Sequence, residues 1–245
     1  MFSNRGGLDA LLERKRPSVW QQFFSMPAVY IAKTLYSWRS ITPAESSSTP
    51  TTAVCISDTH NSQPYIPPGD ILIHAGDLIQ SGSIQELQTS IDWLNALPHK
   101  HKIVVAGNHD LHLDPAPRNP TSKQDMRRRS HSPSLRQPLV DPPRRLGVQY
   151  PRSADIWRDT IPPDTDILVT HTPPRGHLDL NYFGRAFLLD ELWRLKSKPR
   201  LHVFGHVHEG YGQKWVMFDG LQKAFEGIMS GERGFWGFWR VVRSF

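Results

Sequence analysis

The chain has 245 residues, with 38% hydrophobic and 21% charged side chains and a formal net charge of +6. This suits a soluble globular protein with a buried core and some disordered segments, in one large domain or two small ones. The lone cysteine, Cys55, has no disulfide partner in the chain, which excludes a disulfide scaffold and favours a reducing, cytoplasmic compartment.

Residues 1–50 read as an N-terminal extension closing in the low-complexity linker "ESSSTPTT". Its first sixteen residues are too polar for the apolar region of a secretory signal. No run of 18 apolar residues occurs, so no transmembrane helix is expected. The nearest approach, "VWQQFFSMPAVYIAKTLYSW" (19–38), follows Arg14, Lys15 and Arg16. It is either a tail docked on its own domain or a peripheral amphipathic membrane anchor.

Five short apolar runs then recur: "TAVCIS" (52–57), "DILIHA" (70–75), "KIVVA" (102–106), "DILVT" (166–170) and "RLHVF" (200–204). Their β-branched residues and flanking Gly or Pro favour strands. "KIVVA" reads as a buried central strand, with Gly107 supplying a sharp turn after it. Between the second and third runs, "SIQELQTSIDWLNALP" places Ile84, Leu87, Ile91 and Leu94 on one helical face. Ser83 and Glu86 fit a capping box there, and Pro98 is the stop. A second helix, in "RAFLLDELWRLKSKP", carries Phe187, Leu188, Leu192 and Leu195. Strands alternating with amphipathic helices indicate an α/β core.

Residues 113–149 form a Pro/Arg-rich segment that reads as a disordered insert. Residues 113–152 hold eight Arg and one Lys against three Asp, so nine minus three accounts for the whole +6. A charge confined to one loop is either a solvated loop or a surface touching RNA or membrane. Residues 219–245 end in the aromatic–basic "GFWGFWRVVRSF", similar in character to the first segment.

Every apolar run ends in polar residues: Asp58 and His60 in "SDTH", Asp77 in "HAGD", then Asn108, His109 and Asp110 in "GNHD", His171 in "THTPP", and His206 with His208 in "GHVH". Ligands of α/β proteins collect at the carboxyl ends of strands, so the five endings predict one site. A His/Asp/Asn set without thiolate suits Mn, Fe or Zn. Residues i and i+2 of extended chain project to one side, so D-x-H and H-x-H pairs can grip one ion or straddle two. The set exceeds the needs of one tetrahedral ion and suffices for two sharing a carboxylate. Any one of these histidines alone would be read as an ordinary core or polar residue.

In this order, D-x-H, GD, GNHD, H and GHVH, the motifs resemble those of the calcineurin-like metallophosphoesterases, in particular the metallophosphoesterase-domain-containing branch. The similarity covers roughly 52–111 and 150–218 within a domain of 51–218. It implies a four-layer α/β/β/α sandwich and two divalent ions, with Asp58, His60 and His208 holding the first, Asn108, His171 and His206 the second, and Asp77 bridging. It further implies attack in line on phosphorus by a metal-bridging hydroxide. His109 would be the catalytic residue at the leaving group, and Asp110 has no assigned role.

The chain departs from the family in three places. Protein-phosphatase members carry G-D-x-x-D-R, where this chain has "GDLIQS". Gln80 thus replaces the carboxylate that steadies the catalytic histidine, and Ser81 replaces the phosphate-binding arginine. This disfavours protein phosphatase and monoesterase readings and favours a small-molecule or nucleotide phosphodiester, with Arg175 and His177 as candidate substrate contacts. Strands that relatives place between GNH and the single His, and after GHxH, have no counterpart, so part of the second sheet is expected to be missing. The alternatives are a catalytically weak or truncated metal-binding scaffold, peripheral at membranes through its ends, and a metal-dependent nuclease using the basic loop.

Overall fold

The computed structural model describes residues 18–41, 50–113, 151–180 and 182–230, with 239 and 243. The expected disordered insert, apart from Leu113, lies outside the described residues, as does most of the C-terminal aromatic run. Two compact units are formed, one of residues 43–215 and one combining 1–42 with 216–245.

In the larger unit, β1 (Ala53–Ile56), β2 (Ile71–His74) and β3 (His101–Val104) make a parallel sheet in the order β1-β2-β3, and β4 (Ile167–Val169) and β5 (Leu201–Val203) make a parallel pair. Register runs Ile56↔His74↔Val104 in the first sheet and Val169↔Val203 in the second, so each strand ends level with its neighbours. That level finish brings the following loops to one edge.

After α1 (Val19–Ser25) and α2 (Pro27–Ser37) of the smaller unit, the crossover between β2 and β3 is α3 (Ile84–Ala96). Ser83 accepts from the Glu86 amide at its start, and the Glu86 carboxylate returns to the Ser83 amide, completing the expected capping box. Its Leu87 and Leu94 pack with Leu72, Leu78 and Ile79 on one face of the first sheet. On the opposite face Ile73, Ala75 and Val105 meet Val169 and Val203 of the second pair. Alternation along β2 therefore stacks helix, sheet and sheet, which makes an α/β fold. Helix α4 (Ala186–Arg194) buries Leu188, Leu189 and Leu192.

Two expectations need revision. Among the described residues the strand in "KIVVAGNHD" borders the three-stranded sheet, and β2 is its centre; β3 runs from an exposed His101 to half-buried Lys102, Ile103 and Val104, whereas Val105 just beyond it is buried. The apolar composition of that run serves both faces: Ile103 and Val105 pack toward the second pair, and Val104 toward the side of α3.

In the smaller unit α1 (Val19–Ser25), α2 (Pro27–Ser37) and α5 (Gly220–Met229) are helical. Val29 and Ala32 of α2 share a core with Leu221, Ala224, Phe225 and Ile228 of α5. Tyr36 stacks on Phe225 at 4.1 Å between centroids, and Arg39 pairs with Asp219, the N-cap of α5. No helix among the described residues is long and apolar enough to cross a membrane.

Candidate metal centre

The loops after the strands are stitched together by backbone before any side chain acts. The amides of Asp58, His60 and Asn61 donate to the carbonyls of Gly76, Asp77 and Leu78 at 2.8–3.1 Å. Four residues of the predicted site, Asp58, His60, Asp77 and His206, have φ of 53°, 44°, 55° and 72°. Such left-handed geometry costs a non-glycine residue about 1–2 kcal/mol, and here it turns four functional side chains to one edge.

Two glycines make room for the carboxylates. A Cβ on Gly107 would fall 2.1 Å from Asp77 Oδ1, and one on Gly205 would fall 2.3 Å from Asp58 Oδ2. Gly107 is therefore required by close approach; its φ is not positive, in contrast to the sharp-turn role expected from sequence.

Three donor groups result: Asp58, His60 and His208; His60, Asp77 and His109; and Asp77, His171 and His206. Within each, the ligand atoms lie within 4.8 Å of one another. All seven residues read as ligands are brought together. Asp77 and His171 are buried, Asp58, His60, Asn108 and His206 half-buried, and His208 exposed. Asn108 Oδ1 is 3.0 Å from His171 Nε2 and 2.8 Å from His206 Nδ1. Arg175 and His177 lie in the loop after His171 and belong to none of these groups.

The donor chemistry fits cations. His171 Nδ1 lies 2.9 Å from the Ala75 carbonyl, which can only accept, so that nitrogen carries the proton. In the neutral ring Nε2 is then a bare lone pair, facing Asp77 Oδ2 at 3.3 Å and Asn108 Oδ1. Carboxylate, carboxamide oxygen and imidazole nitrogen thus converge on one point, a donor set that suits a divalent cation. Although burial opposes a charged ring, the hydrogen bond and charge of Asp77 outweigh it and raise the His171 pKa. Asp77 is correspondingly lowered against the effect of burial, mainly by His171. Burial, then the charge of His171, lowers His206 to about 4, which keeps it neutral and available as a ligand. His60 Nε2 and His208 Nε2 face each other at 3.3 Å, and His208 lies 3.5 Å from Asp58 Oδ1.

The family profile of the calcineurin-like phosphoesterases matches residues 51–210. The chain belongs to this family. The chain is 35% identical over 208 residues to the human metallophosphoesterase domain-containing protein 1, covering 68% of this chain and 62% of that protein. It is 35% identical over 199 residues to a UPF0046 protein of Caenorhabditis elegans, covering 65% and 69%. It is also 40% identical over 253 residues to the probable rhamnogalacturonate lyase C of Emericella nidulans, covering 94% of this chain but 24% of that protein. The chain thus spans about a quarter of the fungal relative and under two thirds of the human one.

Three contributors escaped the motif reading. Asp110, fully buried, accepts from the amides of Gly107 (2.8 Å), Leu78 (3.2 Å) and Ile79 (3.1 Å), so it braces the loop of Asp77 against the turn of Asn108. Gln80 steadies His109 with its backbone: His109 Nδ1 donates to the Gln80 carbonyl at 2.7 Å. Glu86, beyond its capping role, accepts from Asn61 Nδ2 at 2.8 Å and from the Ser81 amide and hydroxyl at 3.0 and 2.7 Å. The Ser81 hydroxyl bond leads the effects that hold its carboxyl at a pKa of about 2. From sequence, Glu86 was legible only as the capping partner of Ser83, Gln80 only as a missing carboxylate, and Asp110 carried no role.

Proposed function

We propose that this phosphoesterase is a dinuclear metal-dependent phosphodiesterase. The observation that carries the reading is the position of Asp77, whose carboxylate belongs to one donor group with His60 and His109 and to another with His171 and His206. Asp58, His60 and His208 would hold one divalent ion, and Asn108, His171 and His206 the other, with Asp77 common to both; Mn, Fe and Zn suit the donors. Bound there, two such ions supply positive charge for the phosphoryl oxygens and lower the pKa of water towards about 7.

The chain's own residues do the rest. The His109 amide donates to Asp77 Oδ1 at 2.8 Å, which fixes the bridging carboxylate and the catalytic ring as one piece. With Nδ1 engaged by Gln80, His109 keeps Nε2 to exchange a proton with the departing oxygen. The place where phosphatases present an arginine holds Ser81, bound to the Glu86 carboxylate. Negative charge at that point disfavours a phosphate dianion and suits a diester, which carries one charge fewer.

The test strips the full chain with chelator, reloads it with Mn or Zn, counts ions by elemental analysis and compares bis(p-nitrophenyl) phosphate with p-nitrophenyl phosphate. Two ions per chain and faster diester turnover are expected, with Asp77→Asn and His171→Ala slower by about 100-fold. Two ions without turnover of any phosphoester leaves a metal-binding scaffold. Turnover undiminished in both variants overturns the reading.

A further inference from the structure

We infer that Glu86 is a positioning residue for His109, acting through the peptide bond between Gln80 and Ser81. The two hydrogen bonds involved share a single amide group. His109 Nδ1 donates to the carbonyl of Gln80, and the N–H of the same peptide unit, on Ser81, donates to Glu86 Oε2. An amide with an anion on its N–H carries more negative charge on its oxygen, since hydrogen bonds in series polarise one another. The carboxylate that phosphatases place directly on their histidine, absent at Gln80, is therefore supplied one peptide further away.

The surroundings hold the relay still. Glu86 Oε2 also takes the Ser81 hydroxyl and the Ser83 amide, and Oε1 takes Asn61, the residue after His60. The relay keeps the proton of the neutral ring on Nδ1 and fixes the ring's orientation, leaving Nε2 for the departing oxygen. This use of Nε2 rests on the phosphodiesterase reading; the tautomer does not.

Two measurements on the full-length chain separate the two claims. In the metal-free protein labelled with ¹⁵N-histidine, long-range proton–nitrogen spectra identify the protonated ring nitrogen. Wild-type His109 is expected as the Nδ1–H form, with the other tautomer rising in Glu86→Gln. Ser83→Ala, which breaks the capping box but leaves the link from Ser81 to Glu86, serves as the control for a merely structural effect and should keep the wild-type tautomer. In the metal-loaded protein, Glu86→Gln should slow diesters with a phenol leaving group about tenfold, and p-nitrophenol diesters less. In a His109→Ala background the same change should cost nothing further. An Nε2–H tautomer in wild type, or a tautomer indifferent to Glu86→Gln, overturns the relay. So does a loss equal for both leaving groups that persists without His109. Wild-type protein that hydrolyses no diester defeats the functional reading alone, and the spectra still decide the relay.

Discussion

At the scale of single residues, the division of labour within "GNHD" is sharper than its motif suggests. Asn108 turns its oxygen to two imidazoles, His109 is tied to Gln80, and Asp110 points inward to three amides. Removing Asp110 strands those amides in the interior, where an unsatisfied buried group costs about 1–3 kcal/mol. Asp110→Ala is therefore expected to lower stability by about 3 kcal/mol in urea titration, while Asp110→Asn, which keeps one acceptor oxygen, loses less. Such a role was not readable from sequence, because two of the partners lie about thirty positions upstream and are backbone groups. The ligand types were readable, since carboxylate, carboxamide and imidazole at successive strand ends have little reason to gather except around a cation.

At the scale of elements, the site depends on how closely loops approach. Gly107→Ala sets a methyl against the Asp77 carboxylate, at a distance that backbone must yield to relieve. The expected outcome is a loss of metal affinity of at least about tenfold by calorimetric titration, without loss of the strands that precede it. The sequence showed the strands and their order, because β-branched runs with polar ends are a local signal. It showed the start of α3 for the same reason: Ser83 and Glu86 lie three apart and act on each other. What it did not show was that β3 borders its sheet or that Asp58, His60, Asp77 and His206 take left-handed backbone. Strand neighbours and backbone hand here are set by contacts between loops distant in sequence, and Asp or His is compatible with either hand.

At the scale of the molecule, the first segment was legible as amphipathic, whereas residues 219–245 read only as an aromatic–basic tail, and the helix α5 within them was not foreseen. An apolar helix face declares that it must be covered without saying by what, and α2 and α5 lie far apart in the sequence, on either side of residues 43–215. Acid stability is the whole-molecule property that the interior predicts. His74 is fully buried, with its ring Nε2 3.0 Å from the Thr59 hydroxyl, which also lies 3.4 Å from the Leu78 carbonyl. Burial lowers its pKa from 6.5 to about 4. A ring that resists protonation only when folded stabilises the fold fully above pH 6.5 and progressively less as pH falls towards 4. His74 should thus account for about 3 kcal/mol of the stability that the metal-free protein loses over that window in pH-dependent melting, and His74→Gln should make the dependence shallower, leaving the share of His202 and His206, which burial lowers to about 3 and about 4.

The cross-sheet bond from His171 to Ala75 has a mechanical consequence. His171 follows β4 and Ala75 follows β2, while the His206 amide beyond β5 grips both oxygens of Asp58 beyond β1 at 3.0 Å. Each proposed ion would likewise draw its ligands from both sheets, and so would act as a rivet through their seam. Chelation should then let the two-stranded sheet shear against its neighbour, with amide hydrogen exchange quickening in β4 and β5 more than in β2. Catalyst and fastener would be the same two atoms.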